Sequence, residues 1–92
     1  MKTHNRLISL YQKGDLKNAL KLAELLIEKN PEIAKIHNFL GLINSSLYKN
    51  EESLKNFSKA IELKKNYAEA HHNKGALLNQ MGRFKEANEE FN

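Results

Sequence analysis

The sequence predicts an all-α fold made of antiparallel helix pairs stacked side by side. Three observations carry this. Apolar residues recur at three- and four-residue intervals through most of the chain, as they do on one face of an amphipathic helix. Short breaks bearing glycine, asparagine or proline separate these stretches. Sliding the chain by 34 positions also lays like on like, with His37 on His71, Gly41 on Gly75 and Phe57 on Phe91. A fixed period of this length marks helical hairpins, each too small to bury its own apolar face.

The first helix is expected over 1–12, with Leu7, Ile8, Leu10 and Tyr11 as its apolar positions. It stops at Lys13-Gly14-Asp15, where glycine can adopt the left-handed backbone that ends a helix. Asp15 is then suited to cap the second helix, over 16–29. That helix carries Leu16, Ala19, Leu20, Ala23, Leu26 and Ile27 in one stripe. Asn30-Pro31 ends it, because the residue before a proline is pushed out of the helical region. The third helix, over 33–47, places Ile36, Leu40, Ile43 and Leu47 together.

The next turn breaks the pattern, since Tyr48 stands where the flanking copies have Gly14 and Gly82. A side chain there argues for a locally different turn, with Asn50 as the cap and Glu51-Glu52 favouring the positive helix end. The fourth helix, over 51–64, carries Leu54, Phe57, Ala60 and Ile61 and ends in lysines. The fifth runs over 68–81 and stops at Gly82. The sixth, over 84–92, has Phe84, Ala87 and Phe91.

Length and composition bound the function. With 92 residues the chain is expected to be one domain over 1–92, with repeats at about 1–33, 34–67 and 68–92, the last incomplete. Charged residues are 28% and apolar ones 40%, ordinary for a helical protein in water. No apolar run approaches the roughly 20 residues that span a bilayer, and no secretory signal is evident. The chain has no cysteine, which suits a reducing compartment, and the cytoplasm is expected. Arg6 and Arg83 are the arginines among fifteen basic residues, so the net charge of +4 rests on scattered lysines. A lysine-rich helix surface of this kind reads as solvation, with neither nucleic acid nor membrane as partner.

The repeat resembles that of the tetratricopeptide family. Leu40-Gly41, Phe57 and Ala60 fit the family pattern in the second copy. Gly75, Leu78, Gly82, Phe84, Ala87 and Phe91 fit it in the third, and Gly14, Leu16, Ala19, Ala23, Leu26 and Pro31 in the first. Gly41 and Gly75 sit where a side chain would push two helices apart. Lys74, Ser53 and Lys65 depart from the pattern, and His37 and His71 occupy its large-aromatic position. The resemblance implies an α-solenoid, a short segment of right-handed superhelix.

Chemistry other than binding finds little support. His37 and His71, one repeat apart, would lie about 10 Å from each other at ordinary helix-packing distances. That is too far to share an ion bound near 2.1 Å, so no metal or other cofactor is expected. Ser45 and Ser46 lack a neighbouring histidine and a glycine elbow. Glu51-Glu52 and Glu89-Glu90 read as solvated helix acids, and no glycine-rich phosphate loop is present. The chain is not expected to be an enzyme.

The resemblance implies that the first helix of each pair lines a concave groove for an extended peptide or a partner helix. The residues facing it would be His4, Asn5, Ile8, Gln12, Lys35, Asn38, Phe39, Leu42, Ser46, Glu69, His72, Asn73, Ala76 and Gln80. Ile8, Phe39 and Leu42 would form an apolar patch ringed by amides, unless Phe39 and Leu42 pack between helices instead. The family variant that grips chaperone tails does so with lysine, asparagine and arginine side chains. The matching places here hold His4, Ile8, Phe39, Glu69 and Asn73, so that clamp is not expected.

Two alternatives belong to other classes. The chain could be an arm of a larger enzyme such as a glycosyltransferase or sulfotransferase. It could equally be a self-association module, because the last repeat lacks a capping helix and the link at 63–68 lacks the proline that stops the second helix. Without that proline, the fourth and fifth helices could fuse and swap the third repeat between chains.

Overall fold

Local signals and helix ends agree closely. The computed structural model describes residues 2–91, so Met1 and Asn92 at the outer ends of the predicted first and last helices lie outside the described residues. Six helices follow in order: α1 (Lys2–Gln12), α2 (Leu16–Lys29), α3 (Ala34–Ser46), α4 (Asn50–Leu63), α5 (Ala68–Gln80) and α6 (Phe84–Phe91). Consecutive helices pack on one another, most tightly α3 on α4 and α5 on α6. Helix α3 also touches α5 directly, which sets the first helices of successive pairs side by side along the inner layer of the stack.

Asp15 caps α2 as expected, its carboxylate accepting from the Asn18 backbone N–H at 3.5 Å. The turn at Tyr48 departs from expectation. Tyr48 takes φ of 61°, the same left-handed backbone as Gly14 (78°) and Gly82 (77°). All three turns close with the same bond, from Asp15 N–H to Leu10 O, from Lys49 N–H to Asn44 O and from Arg83 N–H to Leu78 O. Lys49 therefore stands at the cap position without a capping side chain, and Asn50 is already the first residue of α4. The cost of a left-handed non-glycine residue, about 1–2 kcal/mol, is smaller than that of changing the α3–α4 angle, because the turn carbonyls and the packed faces both require this geometry.

The α4–α5 link also differs from one expectation. Residues 64–67 form a turn, and the two helices do not fuse. The proline is dispensable because its neighbours supply the same bonds. Lys64 N–H reaches Ala60 O at 3.0 Å, as Asn30 N–H reaches Leu26 O at 2.8 Å in the preceding copy. His71 Nε2 donates to the Lys65 carbonyl at 2.9 Å, as His37 Nε2 does to the Pro31 carbonyl at 2.8 Å. The histidines at the large-aromatic position thus tie each first helix back to the link before it.

Inside each pair the two helices meet at one crossing. A Cβ built on Gly41 would lie 2.5 Å from the Phe57 ring, and one on Gly75 would lie 2.5 Å from the Phe91 ring. The first pair fills the same register the other way round, with large Leu7 on α1 and small Ala23 on α2, both buried. Ser53, where the other copies have alanine, donates its hydroxyl to the Gly41 carbonyl at 2.6 Å. The predicted core residues Leu54, Phe57 and Ala60 are buried, while Leu40 and Ile61 are half-buried.

This crossing generates a sign-reversal test. Alanine is favoured over glycine inside a helix by about 1 kcal/mol. Driving a methyl group into a packed ring costs about 1–3 kcal/mol, and Phe57, 1% exposed, has nowhere to swing. Gly41→Ala should therefore destabilise the native chain. In a Phe57→Ala background, itself about 3–5 kcal/mol less stable, the same change should stabilise by about 1 kcal/mol. Urea denaturation of the four proteins reads this directly, and equal signs in the two backgrounds would refute the crossing.

Candidate functional site

The inner layer carries every residue expected to face a groove, but the structure sorts them into three kinds. Asn5, Gln12, Lys35, Ser46, Glu69, His72, Ala76 and Gln80 are exposed. His4, Ile8, Phe39, Leu42 and Asn73 are half-buried. Asn38 is buried, with 1% of its surface accessible.

Asn38 is the clearest correction. Its Oδ1 accepts from Asn73 Nδ2 at 3.1 Å, which ties α3 to α5. Burial and the Glu69 carboxylate push the Tyr67 phenol above its usual range, and the nearby Asn38 amide works against them. An amide with its oxygen committed inside the stack is part of the packing between α3 and α5 and is not an exposed surface group. Asn73 is half committed in the same way.

The apolar patch of Ile8, Phe39 and Leu42 is not assembled either. Phe39 meets Tyr11 edge-on, with ring centroids 6.1 Å apart and planes at 80°, and packs on the cluster of Leu7, Ala19, Ala23, Leu26, Ile36 and Ile43. Leu42, three residues on, packs on the other cluster, of Leu54, Phe57, Leu77, Leu78 and Ala87. The two side chains serve neighbouring cores in opposite directions along the stack. The fully exposed side chains of this layer are mostly polar, with Lys35 and Glu69 giving both signs of charge.

Near the C-terminal ends of α3 and α5 this face opens into a recess of about 480 Å³ lined by Ser45, Ser46, Tyr48, Asn50 and Gln80. Ser46 and Gln80 are the same repeat position, 34 residues apart, and both were expected at the groove. Ser45, Tyr48 and Asn50 were not. The available signal was Tyr48 itself, a large ring at a glycine position, which the turn geometry leaves 88% exposed.

The fold and its 34-residue period are similar to those of tetratricopeptide-repeat structures. The family profile described as TPR repeat matches residues 49–82, which span α4, its link and α5. Solved structures of the class superpose over nearly the whole chain. The second TPR of Spaghetti (RPAP3), bound to the HSP90 peptide SRMEEVD, matches with a TM-score of 0.91 at 21% identity, covering 98% of this chain and 83% of that one. The TPR2B domain of yeast Sti1, in its complex with pHsp70, gives 0.92 at 22% identity over 97% of this chain and 71% of that one. MamA from Desulfovibrio magneticus RS-1 gives 0.92 at 22% identity over 97% of this chain, which spans 50% of the MamA chain. Comparison with curated proteins finds no match. Among the described residues no helix is long and apolar enough to cross a membrane.

The Asn38 amide gives a prediction with two distinguishable results. Asn38→Ala leaves the Asn73 amide without its partner and removes a fully buried side chain, so it should cost about 1–3 kcal/mol of stability by urea denaturation. Unchanged stability with altered partner affinity would return Asn38 to the contact surface.

Proposed function

We propose that this chain is a protein-interaction module that holds an extended peptide or a partner helix against the inner faces of α3 and α5. The observation that carries the reading is the exposed row of Lys35, Ser46, Glu69, His72, Ala76 and Gln80 above the buried Asn38–Asn73 pair. Its amides and hydroxyls offer a partner's backbone both donors and acceptors, on a floor already fixed by its own hydrogen bonds. Two superposing structures, of RPAP3 and Sti1, were solved with chaperone-derived partners, and this supports a peptide as the ligand class. The same acidic tails are not the ligand we assign here. Glu69 stands at a clamp position and would repel a terminal carboxylate, and the Asn73 amide is engaged with Asn38. The reading places the chain in the cytoplasm, gives it no catalytic step and no cofactor, and takes neither nucleic acid nor membrane as partner.

Selection of binders from a peptide library, followed by calorimetry, tests this. The double change Lys35→Ala and Gln80→Ala should weaken a selected peptide by at least about 1 kcal/mol, roughly fivefold, and leave the thermal melt unchanged. Equal affinity in the variant would remove the groove from the proposal. An acidic peptide ending in SRMEEVD should bind no better than a scrambled control.

A second reading, self-association, is favoured by the α5–α6 pair. Phe84 is 62% exposed and Phe91 46%, whereas Phe57, the counterpart of Phe91, is 1% exposed. The turn at 64–67 separates α4 from α5 and supports a surface contact between copies as the route. Light scattering over a concentration series should show the mass rising above the monomer, and Phe84→Ser should abolish the rise; a monomeric mass at hundreds of micromolar would rule the reading out.

A further inference from the structure

The third helix pair is closed by a charged cluster where the second pair uses neutral groups. In both pairs a histidine Nε2 donates to the link carbonyl, His37 to Pro31 and His71 to Lys65. The other side of the ring differs. His71 Nδ1 lies 3.0 Å from Glu90 Oε1 on α6, and Lys74 Nζ lies 3.2 Å from Glu90 Oε2. One repeat earlier, the places of Glu90 and Lys74 are taken by Asn56 and Leu40, and Asn56 Oδ1 accepts from Asn44 Nδ2 at 2.7 Å.

Both groups that His71 faces are acceptors. A neutral imidazole has one N–H and can serve only one of them, whereas the imidazolium serves both and adds its charge to Glu90. We propose that His71 and Glu90 form a proton-operated latch that docks α6 on α5, closed while the ring is protonated and loosened when it is not. The Lys65 carbonyl, then the Glu90 bond, raise the His71 pKa above its ordinary value, while partial burial and the Lys74 charge pull it down. The other charged groups around the ring are the Glu89 carboxylate on α6, the His72 ring on α5 and the Lys65 ammonium on the link, all of which line the same cleft.

Over the described residues of α6, Phe84–Phe91, Ala87 is the one fully buried side chain, so the latch is a large share of the contacts seen there. Phe91 rests on Gly75 and lies 5.7 Å from the His72 ring, yet is 46% exposed. The sign follows from linkage. A proton held more tightly in the docked state stabilises docking fully below the unfolded value of 6.5, and that stabilisation is lost as pH rises through the higher docked value.

Native-state hydrogen exchange on the full chain, with the His71 ring followed by NMR, tests the proposal. His71 should titrate above 6.5. Protection of the α6 amides, corrected for intrinsic exchange, should fall several-fold between about pH 6 and pH 8, with α3 and α4 unchanged. Glu90→Gln should lower the His71 titration and flatten the α6 profile, and Lys74→Gln should move the titration upward. Loss of α6 helicity in the Glu90 variant at pH 6, with the wild-type titration as expected, also supports the latch. A His71 titrating at or below 6.5, an α6 protection indifferent to pH, or a titration unmoved by Glu90→Gln overturns it.

Discussion

The stack depends on how closely two helices can approach at one crossing in each pair. At Gly41 and Gly75 the backbone presents no side chain, and the Phe57 and Phe91 rings lie where a Cβ would be. Leu7 and Ala23 solve the same problem in the first pair with the sizes exchanged. What is preserved through the copies is the sum of two volumes at a fixed register, as dense packing demands, and not the identity of either residue. The angle between the helices follows from that sum, and the turn must then join them at that angle. This is why Tyr48 accepts a left-handed backbone that glycine would adopt more easily.

Successive pairs are joined by polar ties. The histidine-to-carbonyl bonds of His37 and His71 fasten each first helix to the link before it, and the Asn38–Asn73 pair fastens α3 to α5. Apolar faces on a solenoid could slide or rotate against one another at small cost. A buried amide that loses its partner costs far more, so these bonds set the register in which the inner layer is presented. With Asn38 buried and Phe39 and Leu42 packed on the two cores, the fully exposed side chains of the inner layer are mostly polar and carry both charges.

The α5–α6 pair is built differently at its margin. Its apolar contribution is thin, with Phe91 half open to water, and ionisable groups stand where the preceding pair has Leu40 and Asn56. Hydrophobic contacts respond little to mild changes in pH, whereas a histidine between two acceptors responds within the physiological range.

The amino-acid sequence by itself determined the helices. Their ends are local events, written by Asp15, Gly14, Gly82 and the 34-residue period, and the observed bounds fall within a residue or so of those read from it. The close approach at Gly41 and Gly75 was legible too, because a glycine inside a helix pattern has few other reasons to be there. Tertiary structure alone decided the rest. Asn38 and Phe39 look like groove residues by position, yet whether a side chain at that position faces a partner or a neighbouring helix depends on Tyr67, Asn73 and Tyr11, residues up to 35 positions away. Tyr48 and Lys65 look like breaks in the pattern, yet the packed faces and the His71 ring impose the common geometry on them. Helix formation is a property of adjacent residues, whereas the division of side chains between core and surface is a property of the whole stack.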